Sequence, residues 1–317
     1  MVATPRAGHV SVNSQPSAYH VFGLRVQSEI ELPELVAADR GEPADVTIKF
    51  GKFPPVAGER YRGFLATPDG AMLEVRNTAR YLIRNGREIV VDPDPDGSER
   101  HVRLYLLGSA FGALLHQRRL LPLHANSIEI AGRAVAFMGH SGAGKSTMAA
   151  WFHDRGFEVL ADDVCVVTFN DGLPMAQPGI PRLRMWRDAL EASGRSAEAY
   201  QLAFDDAEKY NVPTRAPNEV RPAQLGAIYL LRKAEANPRE PLIEPLSGIE
   251  ALDALVANTY RGAYVRMLGG TQAHLSSCLA LVKSTPIFAV NRLWGKEYLE
   301  RQIREMEEHA RGLVAGS

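Results

Sequence analysis

The sequence predicts an α/β fold with a β-rich N-terminal domain, and three patterns support this prediction. Short runs of β-branched and aromatic residues alternate with turn residues between positions 19 and 98. A glycine-rich loop at 139–147 separates a strand-like apolar run from a helix-like run, and further strand and helix patterns follow it. We therefore expect a disordered lead-in at 1–18, a β-rich domain at 19–98 and an α/β domain at 99–317.

Within the N-terminal domain, the pattern predicts five strands, at 19–26, 46–50, 71–75, 80–84 and 88–92. Asn85 and Gly86 both tolerate the positive φ of a type I′ turn, so the last two strands should form a hairpin. Ser98 is a favourable residue for a helix start, and the helix predicted at 100–118 should be largely buried because its apolar residues are spread around it.

In the C-terminal domain, strands are predicted at 134–138, 157–160, 164–169 and 225–231, and helices at 186–196, 197–210, 249–258, 271–283 and 293–311. A strand at 286–290 is expected at a sheet edge, because Pro286 at its start cannot donate to a neighbouring strand.

Charge and cysteine usage limit the functional classes. A formal net charge of −1 gives no whole-protein reason to expect a nucleic-acid partner. Cys165 and Cys278 match neither a disulfide framework nor a metal-ligand spacing, so we expect buried free thiols. No uncharged apolar run reaches the roughly 18–20 residues of a membrane span, and positions 1–17 lack the layout of a signal peptide. We therefore expect a cytoplasmic protein with no membrane partner.

The sequence GHSGAGKST at 139–147, here called the glycine loop, fits G-x-x-x-x-G-K-[ST] at Gly139, Gly144, Lys145 and Ser146. Such a loop points several N–H groups into one hollow at a helix N-terminus, where a polyphosphate is favoured. Lys145 should reach the β- and γ-phosphates of ATP, and the Ser146 hydroxyl should bind Mg²⁺. The alternative is a glycine-rich turn that only resembles this motif. The predicted nucleotide-binding residues are Gly139, His140, Ser141, Gly142, Ala143, Gly144, Lys145, Ser146 and Thr147.

Two adjacent acids, Asp162 and Asp163, stand between apolar runs after the predicted strand at 157–160. The interpretation without a functional role is a solvated turn, because Asp is a common turn residue. The flanking runs contain no glycine or proline, which disfavours an ordinary turn. A pair of acids at a strand end near a phosphate-binding loop is suited to a Mg²⁺ ligand and to a base that activates a hydroxyl acceptor.

Two further side chains are candidates for the same site. His124 is the only histidine on the approach to the glycine loop, although a lone histidine among apolar residues is more often structural. Lys209, Arg215 and Arg221 lie in or beside a proline-broken stretch that could bring a cation to the γ-phosphate. Lys209 is the preferred candidate of the three, and an ordinary surface charge is the alternative for each.

The motifs LHANS, GHSGAGKST and LADDVCVV, between 123 and 167, resemble the catalytic domain of the HPr kinase/phosphorylase family, whose phosphate-binding loop is related to that of phosphoenolpyruvate carboxykinases. The family's histidine and paired aspartates have the same spacings from the first loop glycine as His124 and Asp162. The resemblance implies catalytic roles for His124 and Lys145, a general base at Asp162 acting on a serine hydroxyl, and Mg²⁺ binding by Ser146 and Asp163. The family's downstream metal-binding glutamate has no counterpart, since 178–185 contains no acid.

The N-terminal segment at 19–35 resembles instead the opening of the HPr-kinase-like proteins of lasso-peptide biosynthesis. Some of those proteins phosphorylate the C-terminal serine of a precursor peptide. Together the two resemblances imply an ATP- and Mg²⁺-dependent kinase whose partner is a peptide or protein with an acceptor serine. Two alternatives stay open: a nucleotide-binding regulatory protein that transfers no phosphate, and a small-molecule kinase or carboxykinase relative. The sequence does not decide whether the chain forms a homo-oligomer.

Overall fold

The structure, a computed structural model, describes residues 12–39, 41–203, 208–214, 221–234, 242–293 and 295–315. It combines helices with several sheets, so the predicted mixed α/β class is confirmed. The chain folds into two compact units, of which unit 1 comprises Met1–Leu120 and Ala263–Thr271, and unit 2 comprises Leu121–Gly262 and Gln272–Ser317. The first division follows Leu120, whereas the sequence predicted a boundary after residue 98.

Unit 1 contains an eight-stranded sheet with the order β3-β1-β2-β4-β8-β7-β6-β5. Strand β4 pairs in parallel with β2 and β8, and the other pairs are antiparallel. Its strands are β1 (Val12–Val21), β2 (Leu24–Ile30), β3 (Val36–Ala37), β4 (Val46–Phe50), β5 (Phe64–Thr67), β6 (Gly70–Val75), β7 (Ala79–Arg84) and β8 (Glu88–Pro93). The predicted β7–β8 hairpin is confirmed, with positive φ at both Asn85 and Gly86.

The start of unit 1 corrects two predictions. The strand expected at 19–26 is a hairpin of β1 and β2, because Phe22 and Gly23 both adopt positive φ and reverse the chain. A phenylalanine in that conformation is uncommon, so the sequence pattern did not indicate a turn. The disordered lead-in predicted for 1–18 is wrong from Val12 onwards, where β1 begins, and its first eleven residues lie outside the described part of the chain.

The helix predicted at 100–118 is confirmed as one continuous helical stretch. It consists of α1 (Glu99–Tyr105), a π-helical turn (Leu106–Ala110) and α2 (Phe111–Gln117). The Ser98 hydroxyl accepts a hydrogen bond from the His101 backbone N–H at 3.2 Å, so it satisfies one of the free donors of the first turn. The buried Tyr81 hydroxyl donates to the Val102 carbonyl at 2.9 Å and ties α1 to the sheet of unit 1.

Unit 2 is built on a nine-stranded sheet, in which the path β12-β10-β11-β18-β14-β13-β9 is extended by β20 and β19 from β18. The elements that follow α2 are β9 (Leu121–Leu123), β10 (Ala125–Ile130), β11 (Arg133–Met138), α3 (Lys145–Asp154), β12 (Val159–Ala161), β13 (Cys165–Asn170), β14 (Leu173–Gln177), β15 (Arg182–Trp186), α4 (Arg187–Ala192), β16 (Gln201–Leu202), β17 (Lys209–Pro213), β18 (Ala223–Lys233), β19 (Ile243–Leu246), α5 (Gly248–Ala257), α6 (Gly262–Met267), α7 (Thr271–Ser284), β20 (Ile287–Arg292) and α8 (Lys296–Ala315). Helix α6 belongs to unit 1 except for its first residue.

Three parallel neighbours, β11, β18 and β20, form the centre of this sheet. Their carboxyl ends therefore lie along one edge of the sheet, which is where ligands bind in α/β folds. Strand β20 pairs with β18 on one side and β19 on the other, so the prediction of an edge strand at 286–290 was wrong. Pro286 lies just before β20 and removes no bond from the ladder.

A separate three-stranded sheet has the order β15-β17-β16. It corrects the helix predicted at 197–210, because that range contains a single 3₁₀ turn (Ala197–Ala199), then β16 and the start of β17, with 204–207 outside the described residues. Asp205 and Asp206 lie in that undescribed segment.

Buried side chains of unit 2 lie on both faces of its central sheet. Phe137, Tyr229 and Phe152 belong to one cluster with α3 and α8, and their rings stack at centroid distances of 5.4–5.7 Å. Cys165 and Cys278 belong to the other cluster and are buried free thiols, as predicted. Within the described ranges, no helix is long and apolar enough to cross a membrane.

Candidate active site

The glycine loop leaves the carboxyl end of β11 and leads into α3. Gly139, Gly142 and Gly144 have φ of +153°, +84° and +87°, conformations that other residues rarely adopt. A Cβ atom at Gly139 would lie 2.8 Å from the Leu231 carbonyl oxygen of β18, so a side chain there would clash. These glycines let the backbone curl at the N-terminus of α3, the arrangement that favours an anion.

Lys145 is the first residue of α3 and is buried. Its Nζ donates to the carbonyl oxygens of Gly139 at 2.6 Å and His140 at 3.1 Å, which holds the ammonium group against the loop. Burial lowers the pKa of Lys145, whereas the nearby Asp163 and Asp162 raise it. The structure therefore places the predicted loop cation and the predicted acids within electrostatic range of each other.

A buried asparagine anchors the loop from the neighbouring strand. Asn126 lies on β10 and its Nδ2 donates to the Lys145 carbonyl oxygen at 2.5 Å. The bond ties the first turn of α3 to β10 through a backbone carbonyl and not through one of the free N–H groups of the helix start. It therefore fixes the orientation of α3. Asn126 was part of the LHANS motif, although the sequence alone assigned it no role.

Arg292, the last residue of β20, lies behind the glycine loop. It is 9% exposed, and its Nη1 donates to the Ala143 carbonyl oxygen at 3.1 Å. A Cβ atom at Gly144 would lie only 2.7 Å from the same Nη1, so the guanidinium fills the space that glycine leaves. Burial lowers the pKa of Arg292. Arg292 was not predicted as a site residue, because β20 was expected at a sheet edge.

Asp162 follows β12, and its Oδ2 accepts a hydrogen bond from the Arg184 backbone N–H at 2.7 Å. Burial raises the pKa of Asp162 to about 6, and the neighbouring Asp163 adds to this effect. The backbone hydrogen bond and the cations Lys209 and Arg184 act in the opposite direction. A carboxyl group with a pKa near the working pH is suited to accepting and releasing a proton.

Asp163 adopts φ +72°, which is unusual for a residue with a side chain. Its Oδ2 accepts a hydrogen bond from Arg184 Nη1 at 2.8 Å in a largely buried ion pair. Burial alone would raise the pKa of Asp163, but Arg184 and Lys209, together with His124, outweigh it, so the pKa is lowered. Asp163 is therefore ionised at neutral pH, whereas the raised pKa of Asp162 leaves a fraction of that carboxyl group protonated.

His124 lies between β9 and β10, where its backbone N–H donates to the Asn258 carbonyl at 2.6 Å. Its Nδ1 is 3.0 Å from the Asp163 carbonyl oxygen and 3.6 Å from Asp163 Oδ1. A carbonyl oxygen only accepts hydrogen bonds, so Nδ1 carries the proton. Burial lowers the pKa of His124 despite the nearby Asp163, which favours a neutral ring. His124 thus contacts the turn formed by Asp162 and Asp163, here called the acid turn, and does not lie apart from it in the core.

Lys209 is the first residue of β17, and its Nζ lies 5.8 Å from the centre of the Trp186 ring. Its charge affects the pKa values of Asp162, Asp163, His124 and Lys145, so it lies in the same electrostatic cluster. The two competing candidates are not placed there by the structure: Arg221 acts on Glu158, and Arg215 lies outside the described residues.

Ser146 and Asp163 are the residues that would hold Mg²⁺. Within the described ranges, no three His, Cys, Asp or Glu side chains are clustered as a metal site. Mg²⁺ at phosphate sites commonly takes one or two protein oxygens and completes its shell with phosphate and water, so a larger cluster is not required. Asp163 carries an ionised carboxylate, and Ser146 lies half-buried in the first turn of α3. Both side chains offer oxygen ligands, the type that Mg²⁺ prefers.

The remaining predicted loop residues border open space. His140, Ser141 and Gly142 are exposed, and Ala143 and Thr147 are half-buried. Four of them line a cavity of about 650 Å³ together with the end of β18 and with α5. Its other lining residues include Leu231, Arg232, Lys233, Glu250, Asp253 and Asn258.

Comparison with known proteins adds little to this geometry. No family model matches the chain, and no curated protein matches it. Among solved structures, it is similar to the Hpr(Ser) kinase/phosphatase from Coxiella burnetii, with 14% sequence identity and a TM-score of 0.32. That match covers 59% of this chain and 95% of the other. At this TM-score the likeness supports no conclusion about activity, so we infer function from the side chains of the site.

Proposed function

We propose that the chain is an ATP-dependent kinase that transfers the γ-phosphate of ATP to the hydroxyl group of a serine in a peptide or protein. The supporting observation is the neighbourhood of Lys145 and Asp162, a cation held on the glycine loop and a carboxyl group with a pKa of about 6. Phosphoryl transfer depends mainly on positioning and charge neutralisation, with a carboxylate that orients the nucleophile and accepts its proton.

In the proposed reaction, the acceptor oxygen attacks the γ-phosphorus of ATP. The bond from that phosphorus to the oxygen bridging the β- and γ-phosphates breaks, and ADP leaves. The hydroxyl proton passes to the Asp162 carboxylate and then to solvent. With a pKa of about 6, Asp162 is roughly nine-tenths ionised at pH 7, so it is available as a base and still basic enough to take the proton.

The other charged residues of the cluster support this step. Lys145 and Lys209 neutralise charge on the moving phosphoryl group. Arg184 and His124 hold the Asp163 turn in its unusual backbone conformation. Bound Mg²⁺, held by Ser146 and Asp163, would neutralise further phosphate charge.

The finer part of the proposal concerns the acceptor, which we propose is the C-terminal serine of a lasso precursor peptide. It is supported by the resemblance of 19–35 to the kinases encoded with lasso-peptide genes. The supporting segment belongs to unit 1, whereas the cluster around Asp162 belongs to unit 2. This part of the proposal can therefore fail while the proposal of serine kinase activity stands.

The central test compares Asp162→Asn with the wild type and with Asp171→Asn, a control in an exposed turn. Peptides with internal or C-terminal serines are incubated with ATP and Mg²⁺, and phosphopeptide is measured by mass spectrometry. We expect Asp162→Asn to reduce the transfer rate by about 10²–10⁴-fold and to leave the Kd for ATP nearly unchanged. Lys145→Ala should reduce both the transfer rate and the affinity for ATP. Undiminished transfer by either variant would contradict the mechanism.

A nucleotide-binding regulatory protein is the second candidate. It is favoured by one observation: both acids already accept hydrogen bonds from Arg184, one through its backbone and one through its guanidinium. Acids engaged in this way would suit a switch that binds nucleotide without transferring phosphate. In that case the wild type would bind ATP, but no peptide in the panel would gain a phosphoryl group.

A further inference from the structure

Strand β15 lies next to the acid turn and has two distinct faces. Leu183 and Met185 of β15 are fully buried in the core of unit 2. Side chains alternate along a strand, so Arg184 and Trp186 lie on the opposite face. Arg184 contacts Asp163 through Nη1, and therefore this opposite face is directed towards the acids.

The same face continues into β17. Trp186 is paired with Lys209, and Arg184 is paired with Asn211. Residues directly opposite each other in antiparallel strands project to the same side. The distance of 5.8 Å from Lys209 Nζ to the Trp186 ring agrees with this placement. We call the face formed by Arg184, Trp186, Lys209 and Asn211 the acceptor face.

The acceptor face is closed at one end and open at the other. Arg184 is 8% exposed beneath the acid turn, whereas Trp186 is 43% exposed. An exposed indole beside a charged site is an unusual use of a large apolar side chain, and tryptophan is enriched where proteins bind partners. The open end is thus contiguous with the atoms proposed to react.

A second observation on the same face also indicates a ligand. The side-chain oxygen of Asn211 is buried and accepts no hydrogen bond from the described residues. Buried polar atoms of native proteins nearly always have a partner, so an orphaned acceptor calls for a donor from elsewhere. The oxygen is closed to solvent in the free protein, so a backbone N–H of an extended peptide lying along the face becomes its donor only when a neighbouring side chain moves aside.

We propose that Trp186 and Asn211 form the subsite that binds the acceptor peptide, with the Trp186 indole packed against an apolar or aromatic residue next to the acceptor serine. Asn211 accepts a backbone hydrogen bond from the same segment. This inference rests on the proposed kinase function. It adds the substrate class: peptides with a bulky apolar neighbour to the serine, in preference to glycine or an acid.

The test uses the full chain and synthetic pentapeptides ending in Xaa-Ser, with Phe, Leu, Gly or Asp at Xaa. For the wild type, we expect kcat/KM for the Phe peptide to exceed that for the Gly peptide by about tenfold. Trp186→Ala should remove this preference, chiefly by raising KM for the peptide, while KM for ATP stays unchanged. Trp186→Phe should restore most of the preference. Asn211→Ala should lower kcat/KM for all four peptides by a similar factor.

Phe169→Ala provides a matched control, because Phe169 is an aromatic residue of unit 2 with 37% exposure. It should leave the Phe-to-Gly ratio unchanged. A wild-type ratio retained by Trp186→Ala would overturn the proposed subsite while leaving the kinase function intact. So would a wild type that phosphorylates all four peptides equally well.

Direct binding separates failure of the subsite from failure of the kinase function. The Kd of each peptide is measured by calorimetry in the presence of ADP, which cannot donate a phosphoryl group to it. If the wild type binds the Phe peptide and Trp186→Ala does not, but no phosphopeptide forms, the subsite stands and the kinase proposal fails. If both proteins bind equally, or neither binds, the subsite is overturned.

Discussion

The phosphate-binding side and the acid side of the candidate site are built in different ways. The glycine loop is a single run of residues between β11 and α3, and its shape follows from the positive φ of its glycines. The acid turn instead depends on His124, Arg184 and Lys209, which belong to segments far apart in the sequence. A locally determined loop should be sensitive to backbone changes, and a turn held by ion pairs should be sensitive to the removal of distant charges.

Removing the buried cation of the acid turn should have the largest effect on stability. Arg184→Gln leaves the Asp163 carboxylate without its main partner, and breaking a buried pair in this way costs about 3–5 kcal/mol. We expect the free energy of unfolding in urea to fall by roughly 3 kcal/mol.

Arg304→Gln is the matched control for Arg184→Gln, because Arg304 pairs with Glu300 on the exposed surface of α8. Its free energy of unfolding should change far less than that of Arg184→Gln, because solvent screens an exposed ion pair. Equal effects of the two substitutions would show that the acid turn does not depend on its buried ion pair.

The loop side should respond most to a change at Gly144. Gly144→Ala strains a backbone with φ +87° and brings a methyl group within 2.7 Å of Arg292 Nη1. We expect the affinity for ATP to fall by about 100-fold, measured by calorimetry, since displaced loop N–H groups no longer converge on the phosphates.

Gly132→Ala is the control for an alanine placed at positive φ outside the glycine loop. Gly132 lies in the β10–β11 hairpin with φ +80°, and no atom lies within 4 Å of an added Cβ. It should cost about 1 kcal/mol of stability and leave ATP affinity unchanged. A similar loss of affinity in both variants would mean that the effect of Gly144→Ala does not arise in the glycine loop.

This difference also explains which residues of the site could be predicted from the sequence and which could not. The loop motif and the acid pair could be predicted because each is contiguous in the sequence. Arg184 and Arg292 could not, because they reach the site only through the pairing of β15 with β17 and the central position of β20. The turn at Phe22 and Gly23 was missed for a related reason: a phenylalanine rarely adopts positive φ, and it does so here where β1 pairs with β2.

Asp162 should be a case in which function opposes stability. Its pKa is about 6 in the folded protein and 3.8 without the fold. As pH rises through this window, the unfolded chain releases the proton first, so the contribution of Asp162 to stability becomes steadily less favourable and is constant above about pH 6. The difference corresponds to at most about 3 kcal/mol.

Asp162→Asn should therefore be more stable than the wild type at pH 8, by about 1–3 kcal/mol in urea denaturation without nucleotide or Mg²⁺. The gain should largely disappear at pH 4, where the wild-type carboxyl group is protonated in the folded protein and about two-fifths protonated in the unfolded chain. A gain that is the same at both pH values would show that it does not come from the charge of Asp162.

The smallest expected effect is that of His124, whose contribution is one hydrogen bond to the Asp163 carbonyl oxygen. His124→Gln should cost about 1 kcal/mol of stability and lower kcat by about tenfold, with the Kd for ATP unchanged. The pH–rate profile gives the sharper readout. The wild-type rate should rise through about pH 6 as Asp162 loses its proton, and the lowered pKa of His124 favours the neutral form of that ring. The midpoint of this rise should therefore persist in His124→Gln. Its disappearance would identify His124, and not Asp162, as the group that titrates.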